Sequence, residues 1–139
     1  MAATLWAISD LHTGQAANRP VAESLYPSTP QDWLIVAGDV AERTDDIRRT
    51  LELLRSRFET VIWVPGNHEL WTTGKDPVQV FGRARYDYLV QMCDDAGVLT
   101  PEHEYPVWTG PGGPATVVPI FLLYDYTFLP AGAATKAEG

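Results

Sequence analysis

Three short apolar stretches constrain this chain most, because each one stops on chemically loaded residues. Leu5 to Ser9 (LWAIS) runs into Asp10-Leu11-His12, Trp33 to Ala37 (WLIVA) into Gly38-Asp39, and Thr60 to Val64 (TVIWV) into Pro65-Gly66-Asn67-His68-Glu69. All three are rich in β-branched and aromatic residues and apolar at alternate positions on both sides, the pattern of strands covered on both faces. Between the second and third, Thr44 is placed as an N-cap, with Asp45 and Asp46 where a helix dipole favours negative charge. Ile47, Leu51, Leu54 and Phe58 follow at helical spacing, with Arg48, Arg49, Arg55 and Arg57 on the other faces. Strand, helix, strand in this order predicts a βαβ crossover and a parallel sheet.

In an open parallel sheet, ligands bind in the crevice beyond the carboxyl ends of the strands. Asp10, His12, Asp39, Asn67 and His68 are therefore expected to converge from distant parts of the sequence. Carboxylate, imidazole and amide oxygen together suit Mn, Fe or Zn. Gly38 and Gly66 let the backbone turn where a side chain would crowd the cluster. Taken singly the motifs are weak, since a lone Asp at a strand end is more often a turn former or helix cap. The ordered set of three, each directly after an apolar run, carries the inference.

Asp10-x-His12, Gly38-Asp39 and Gly66-Asn67-His68-Glu69 resemble the first three motifs of the calcineurin-like metallophosphoesterases. The resemblance implies an α/β fold, the N-terminal half of a four-layer αββα sandwich with a mostly parallel sheet built from βαβ units. It implies two metal ions, Mn2+ and/or Fe, with Zn2+ also compatible. Asp10 and His12 would bind the first metal, Asp39 would bridge both, and Asn67 would bind the second. His68 would be a catalytic group rather than a ligand, meeting the phosphoryl oxygen or leaving group, with Asp39 or Asp10 orienting it. Longer stretches (LWAISDLHTG, PVAESLYP, DWLIVAGDVAERTDDIR, VIWVPGNHELWTT, FGRARYDYLV and FLLYDYTFLPAG) resemble an actinobacterial and mycobacterial subgroup of that family. That subgroup is implied to remove 4′-phosphopantetheine from the serine of acyl carrier proteins, which makes an acyl carrier protein the expected substrate partner.

The family completes its centre with later histidines, including a paired G-H-x-H. Here the three histidines are His12, His68 and His103, and no G-H-x-H occurs. His103, in the polar stretch PEHEY, reads as a solvated surface residue. Residues 1–139 are accordingly read as one incomplete metallophosphoesterase domain, its C-terminal ligand-bearing half belonging to the same gene or a separate chain. A degenerate binding module and completion by a second copy are the other two readings. Generic nucleotide phosphodiesterase or phosphatase activity, or a non-catalytic binding scaffold, stand as alternative functions.

The rest of the chain is read more coarsely. Pro20, Pro27 and Pro30 confine any helix between the first two strands to about Val21–Tyr26. Asp76-Pro77 is expected to start a long helix that buries Val78, Phe81, Leu89, Met92 and Cys93 and stops at Gly97. Cys93 reads as a packed small hydrophobe. Strands over Tyr105 to Trp108 and Val117 to Tyr124, on either side of TGPGGPA, are expected to form a hairpin or to lie as two adjacent strands. Tyr124 and Asp125 would line a substrate mouth or form a strand-end turn. Trp71 and Tyr86 or Tyr88 would stack on substrate, pack in the core or lie exposed on the surface, and Arg83 and Arg85 would meet an acidic carrier protein.

Composition excludes more than it assigns. A formal net charge of −8 disfavours binding to nucleic acid or an anionic membrane. Five Trp and six Tyr exclude a disordered chain. No run approaches the roughly 20 apolar residues of a membrane span, and the N-terminus lacks a signal-peptide pattern. A single cysteine suits a reducing compartment, so the expected location is cytoplasmic.

Overall fold

The three apolar runs form one parallel sheet in a computed structural model that describes residues 1–122. Strands β1 (Leu5–Ile8), β2 (Trp33–Ala37) and β3 (Thr60–Val64) lie in the order β1-β2-β3. Their register aligns Leu5 with Trp33 and Trp33 with Thr60, and Val36 with Trp63. All three strands therefore release their polar motifs at the same end. Helix α1 (Arg19–Glu23) follows β1, and α2 (Thr44–Arg55) forms the crossover between β2 and β3. After β3 come the single-turn α3 (Asn67–Leu70), the longer α4 (Gly82–Ala96), and a hairpin of β4 (Val107–Trp108) and β5 (Ala115–Thr116).

The apolar spacing on α2 does what it predicts. Ile47, Leu51 and Leu54 are fully buried against Leu34 and Val36 of β2, Val61 and Trp63 of β3, and Leu89, Met92 and Cys93 of α4. Each such side chain contributes about 1.5–3 kcal/mol of transfer free energy. Arg55, in the last turn of α2, donates from Nε to the carbonyl of Gly97 (2.9 Å), so the carboxyl ends of α2 and α4 are tied together. Gly97 ends α4 in the left-handed conformation at φ 70°, as its position predicts.

Several expectations change. Among the described residues, the sheet is fully covered on one face and only partly on the other. Alternation and register place Leu5, Ala7, Trp33, Ile35, Ala37, Thr60, Ile62 and Val64 on the face away from α2, and only Ile62 among them is buried. The Trp108 ring packs edge-on against Trp33 at 5.3 Å between centroids, and covers part of that face. Helix α1 starts two residues before its expected position and ends at Glu23, because Pro20 serves in its first turn. Arg43 is the N-cap residue of α2, and Thr44 turns its hydroxyl to Asp76 Oδ1 (2.8 Å) instead of capping.

Helix α4 starts at Gly82 rather than at Asp76. The Asp76 carboxylate is engaged by Thr44, by the Val78 N–H (2.8 Å) and by Arg85 Nη1 (3.0 Å), and these partners hold 76–81 in an irregular path. Phe81 is consequently exposed and Val78 only half-buried. The hairpin exists, but its strands are shorter than expected, and Val117 to Leu122 is not a strand. Tyr124, Asp125 and the remainder of that segment lie outside the described residues. No helix among the described residues is long and apolar enough to cross a membrane.

Candidate metal centre

The ends of the three strands carry the most unusual backbone in the molecule. Among the described residues, Asp10 (φ 56°), His12 (φ 43°) and Asp39 (φ 55°) are the non-glycine positions with positive φ. Side chains strain the backbone there by about 1 kcal/mol or more each, and such strain concentrates at ligand-binding and catalytic positions. A ladder holds the three in place: the Asp10 N–H donates to the Gly38 carbonyl (3.1 Å), His12 N–H to Asp39 (2.9 Å) and Thr13 N–H to Val40 (2.8 Å). The first and second motifs are thus hydrogen-bonded to each other directly.

The third motif joins through backbone that only glycine permits. A Cβ on Gly38 would lie 2.6 Å from the Gly66 N, and one on Gly66 would overlap the Asp39 carboxylate. With both absent, Asp39 Oδ1 accepts the His68 N–H at 3.1 Å. Ligand atoms of His12, Asp39 and His68 then lie within 4.8 Å of one another, all half-buried. The His12 and His68 rings meet edge-on at 4.7 Å between centroids. Asp10 stands at the rim, its side chain exposed and Oδ1 3.9 Å from His12 Nε2. Asn67 opens α3 and is half-buried. The five residues singled out in the sequence therefore occupy three adjacent strand ends.

This donor set fits metal ions. It mixes carboxylate, imidazole and amide, as borderline transition metals favour. The side chains of Asp10 and His12 have no hydrogen-bond partner among the described residues, and Asp39 has only the His68 N–H. The glycine pair leaves open the space that side chains would fill.

Three residues to which sequence reasoning assigned no part in the site build the frame. Glu42, three positions after Asp39, accepts or shares a proton with His68 Nδ1 at 2.9 Å, so Glu42 orients the imidazole rather than Asp39 or Asp10. Glu69 is buried, and its carboxylate accepts the N–H groups of Asp39 (2.9 Å), Val40 (2.8 Å) and Gly66 (3.0 Å). Burial pushes its carboxyl above the usual range, although the N–H groups of Val40 and Asp39 oppose the shift. Arg85 is the third: it is fully buried on α4, which removes it from any surface meant for an acidic partner. Glu69 closes the third motif and Glu42 lies three residues past Asp39, and that proximity is the one signal that could have flagged them. Arg85 has no local signal.

Outside the cluster, His103 is not simply solvated. Its Nδ1 accepts the Thr100 N–H (3.0 Å) and its Nε2 lies 3.1 Å from Asp94, so it ties the loop to α4. Cys93 is buried, and burial raises its thiol to about 12, consistent with a packing role. Tyr86 is buried and donates to Glu102 (2.8 Å), whereas Trp71 is exposed with its ring 4.2 Å from that of His68. Arg83 is exposed and paired with Asp87.

Comparison with known proteins agrees with the motif reading. Residues 3–130 match the family model described as calcineurin-like phosphoesterase. The chain is similar to the acyl-carrier-protein phosphodiesterase PptH of Mycobacterium tuberculosis, at 77% identity over 136 residues. That match covers 98% of this chain and 42% of the relative. A solved structure, the phosphopantetheinyl hydrolase PptH of the same organism, superposes with a TM-score of 0.92 at 76% identity. It is covered over 49% of its chain, and this chain over 99%. The chain thus spans less than half the length of the relatives it matches.

Proposed function

The chain belongs to the calcineurin-like phosphoesterase family, and from that membership we propose that it forms the first part of a dinuclear metal centre that hydrolyses phosphodiesters. The substrate proposed is the 4′-phosphopantetheine ester on the serine of an acyl carrier protein, and the setting is the cytoplasm. The substrate rests on the mycobacterial relative, whose name describes an acyl-carrier-protein phosphodiesterase. The observation that carries the chemistry is the cluster of His12, Asp39 and His68 within 4.8 Å, beside a His68 imidazole already hydrogen-bonded to Glu42.

Asp10 and His12 would hold one metal, Asp39 would serve both, and Asn67 would hold the other. Mn2+ and Fe suit these ligands, and Zn2+ is compatible. When bound, such ions supply Lewis acidity that offsets phosphoryl charge and lowers the pKa of water to about 7. The protein's own groups do the rest. The carboxylate of Glu42 fixes His68 with its proton on Nδ1, leaving Nε2 to exchange a proton with a phosphoryl or leaving-group oxygen. Glu69, by holding three N–H groups, fixes the backbone from which Asp39 projects.

Residues 1–139 are proposed to be an incomplete domain. The apolar face of Trp33, Ile35 and Ala37, covered only in part by the described residues, supports this reading, since a complete domain buries such a face against a second layer. So does coverage of less than half of the relatives.

The test joins the chain to the remainder of its domain, adds Mn2+ and holo-acyl carrier protein, and follows the carrier by intact mass. Loss of the phosphopantetheine mass is expected. Retention of that mass, with turnover of a simple diester such as bis(4-nitrophenyl) phosphate, would remove the substrate and keep the phosphoesterase. Turnover of neither would remove both.

A further inference from the structure

Helix α4 sends one guanidinium into the interior, and each of its nitrogens has a different partner. Arg85 Nε donates to the Glu69 carbonyl (2.9 Å), Nη1 to Asp76 Oδ2 (3.0 Å) and Nη2 to the Glu42 carbonyl (2.8 Å). Both side chains of the Arg85–Asp76 pair are completely buried. Asp76 neutralises the charge and is itself fixed by the Thr44 N–H and hydroxyl and the Val78 N–H. Those hydrogen bonds outweigh the burial that opposes its charge, and hold its carboxyl below the usual range.

A buried ion pair is by itself weak evidence of stabilisation, because apolar side chains of similar volume often serve as well. The two donors not used by Asp76 are the informative ones. They hold the backbone of Glu42, whose carboxylate meets His68, and of Glu69, the residue after His68. Helix α3 has four residues, too few to fix its own position. Its placement comes from outside: Glu69 and Asp39 tie it to the backbone at 39 and 40, and Arg85 ties it to Glu42 itself.

We propose that Arg85 is a positioning residue for His68: its guanidinium sets the separation between the backbone at Glu42 and at α3, and so keeps His68 Nδ1 on the Glu42 carboxylate with Nε2 free. The functional meaning of this rests on the phosphoesterase reading above, but the geometry can be tested without it.

The histidines supply the readout. A carboxylate only accepts, so neutral His68 carries its proton on Nδ1, whereas His103 accepts the Thr100 N–H at Nδ1 and carries its proton on Nε2. His103 also contacts α4 through Asp94 and reports on that helix. The two tautomers give distinct imidazole 15N signals, recorded at a pH above the ordinary imidazole range.

In Arg85→Lys, the ammonium keeps a charge opposite Asp76 but cannot bond two diverging carbonyls. The expected result is a His68 signal that changes from mainly Nδ1–H to a mixture of tautomers, with His103 unmoved. Movement of both would indicate a loosened α4 and a merely structural role, and movement of neither would equally overturn the proposal. If Arg85→Lys does not fold, the double variant Arg85→Gln, Asp76→Asn leaves no lone buried charge and takes the same test with the same outcomes. In protein that holds the complete centre, Arg85→Lys is expected to lower kcat about 10-fold with KM unchanged. An unchanged kcat alongside the tautomer change would overturn it. If the unsubstituted protein hydrolyses no phosphodiester, the functional reading fails while the tautomer test still stands.

Discussion

Two aspartates at opposite ends of the same sheet do opposite things with the same functional group. Asp32, before β2, is fully buried and saturated. Its oxygens accept the N–H groups of Thr4 (2.8 Å) and Ser28 (2.7 Å), the Thr29 hydroxyl (2.6 Å) and the Trp6 indole (2.8 Å). Asp39, after β2, accepts one N–H, at a backbone φ of 55°. Asp10, at φ 56°, accepts none among the described residues and is exposed. A carboxylate whose lone pairs are all occupied can fix the chain but has nothing left for a ligand. One held open on strained backbone contributes little to the fold and is available for a cation. The difference separates structure from function more cleanly than residue type does.

The sharpest way to break this comparison is to exchange the consequences. Asp39→Asn keeps the shape and the hydrogen bond to the His68 N–H but removes the charge that two cations would share. Mn2+ affinity, followed by calorimetry, is expected to fall by about 100-fold or more, with little change in Tm. Asp32→Asn is expected to leave Mn2+ affinity unmoved and to lower Tm by about 10 °C, since an amide cannot accept at both ends. A loss of metal at Asp32→Asn, or of stability alone at Asp39→Asn, would collapse the distinction between the two ends.

Proton linkage sharpens it at the structural end. Burial works against the charge on Asp32, but the hydrogen bonds from Thr29, Trp6, Thr4 and Ser28 outweigh it and hold the carboxyl well below the usual range. A carboxyl depressed in the folded state stabilises above its unfolded value, near pH 4, and loses that contribution as pH falls through the folded value. The Tm difference between the native chain and Asp32→Asn is therefore expected to be full at pH 7 and to shrink in melts taken below about pH 4. A gap that stays constant to pH 2 would mean that Asp32 acts through its shape rather than its charge.

The functional end was the more legible of the two in the sequence, for a physical reason. Polar residues directly after apolar strands are conspicuous, and Asp10, His12, Asp39, Asn67 and His68 stand out against LWAIS, WLIVA and TVIWV for that reason. The strands and α2 were legible because their periodicity is local. Glu42, Glu69, Asp76 and Arg85 were not, because each acts across a long separation: the His68–Glu42 bond spans 26 positions and Arg85 to the Glu42 carbonyl spans 43. Asp76-Pro77 even carried the local signature of a helix start, and tertiary demand for its carboxylate overrode that preference. Asp32 likewise reads as an ordinary turn residue until Thr4 and Trp6, 28 and 26 positions away, fold onto it.

The smallest expected effect has the most diagnostic sign. Asp10 contributes no hydrogen bond from its side chain among the described residues, and it holds a left-handed conformation that costs an L-residue about 1 kcal/mol. Asp10→Gly removes that strain, while the unfolded chain gains entropy worth about 0.5–1 kcal/mol against it. The net expectation for the metal-free chain is a stability unchanged or raised by up to about 1 kcal/mol in urea melts. Mn2+ binding is expected to weaken in the same protein. A substitution at Asp32 cannot behave in this way, because saturation leaves no strain to release. If Asp10→Gly destabilised the metal-free chain as Asp32→Asn should, the left-handed aspartates would be part of the scaffold, and the division between the two ends of the sheet would fail.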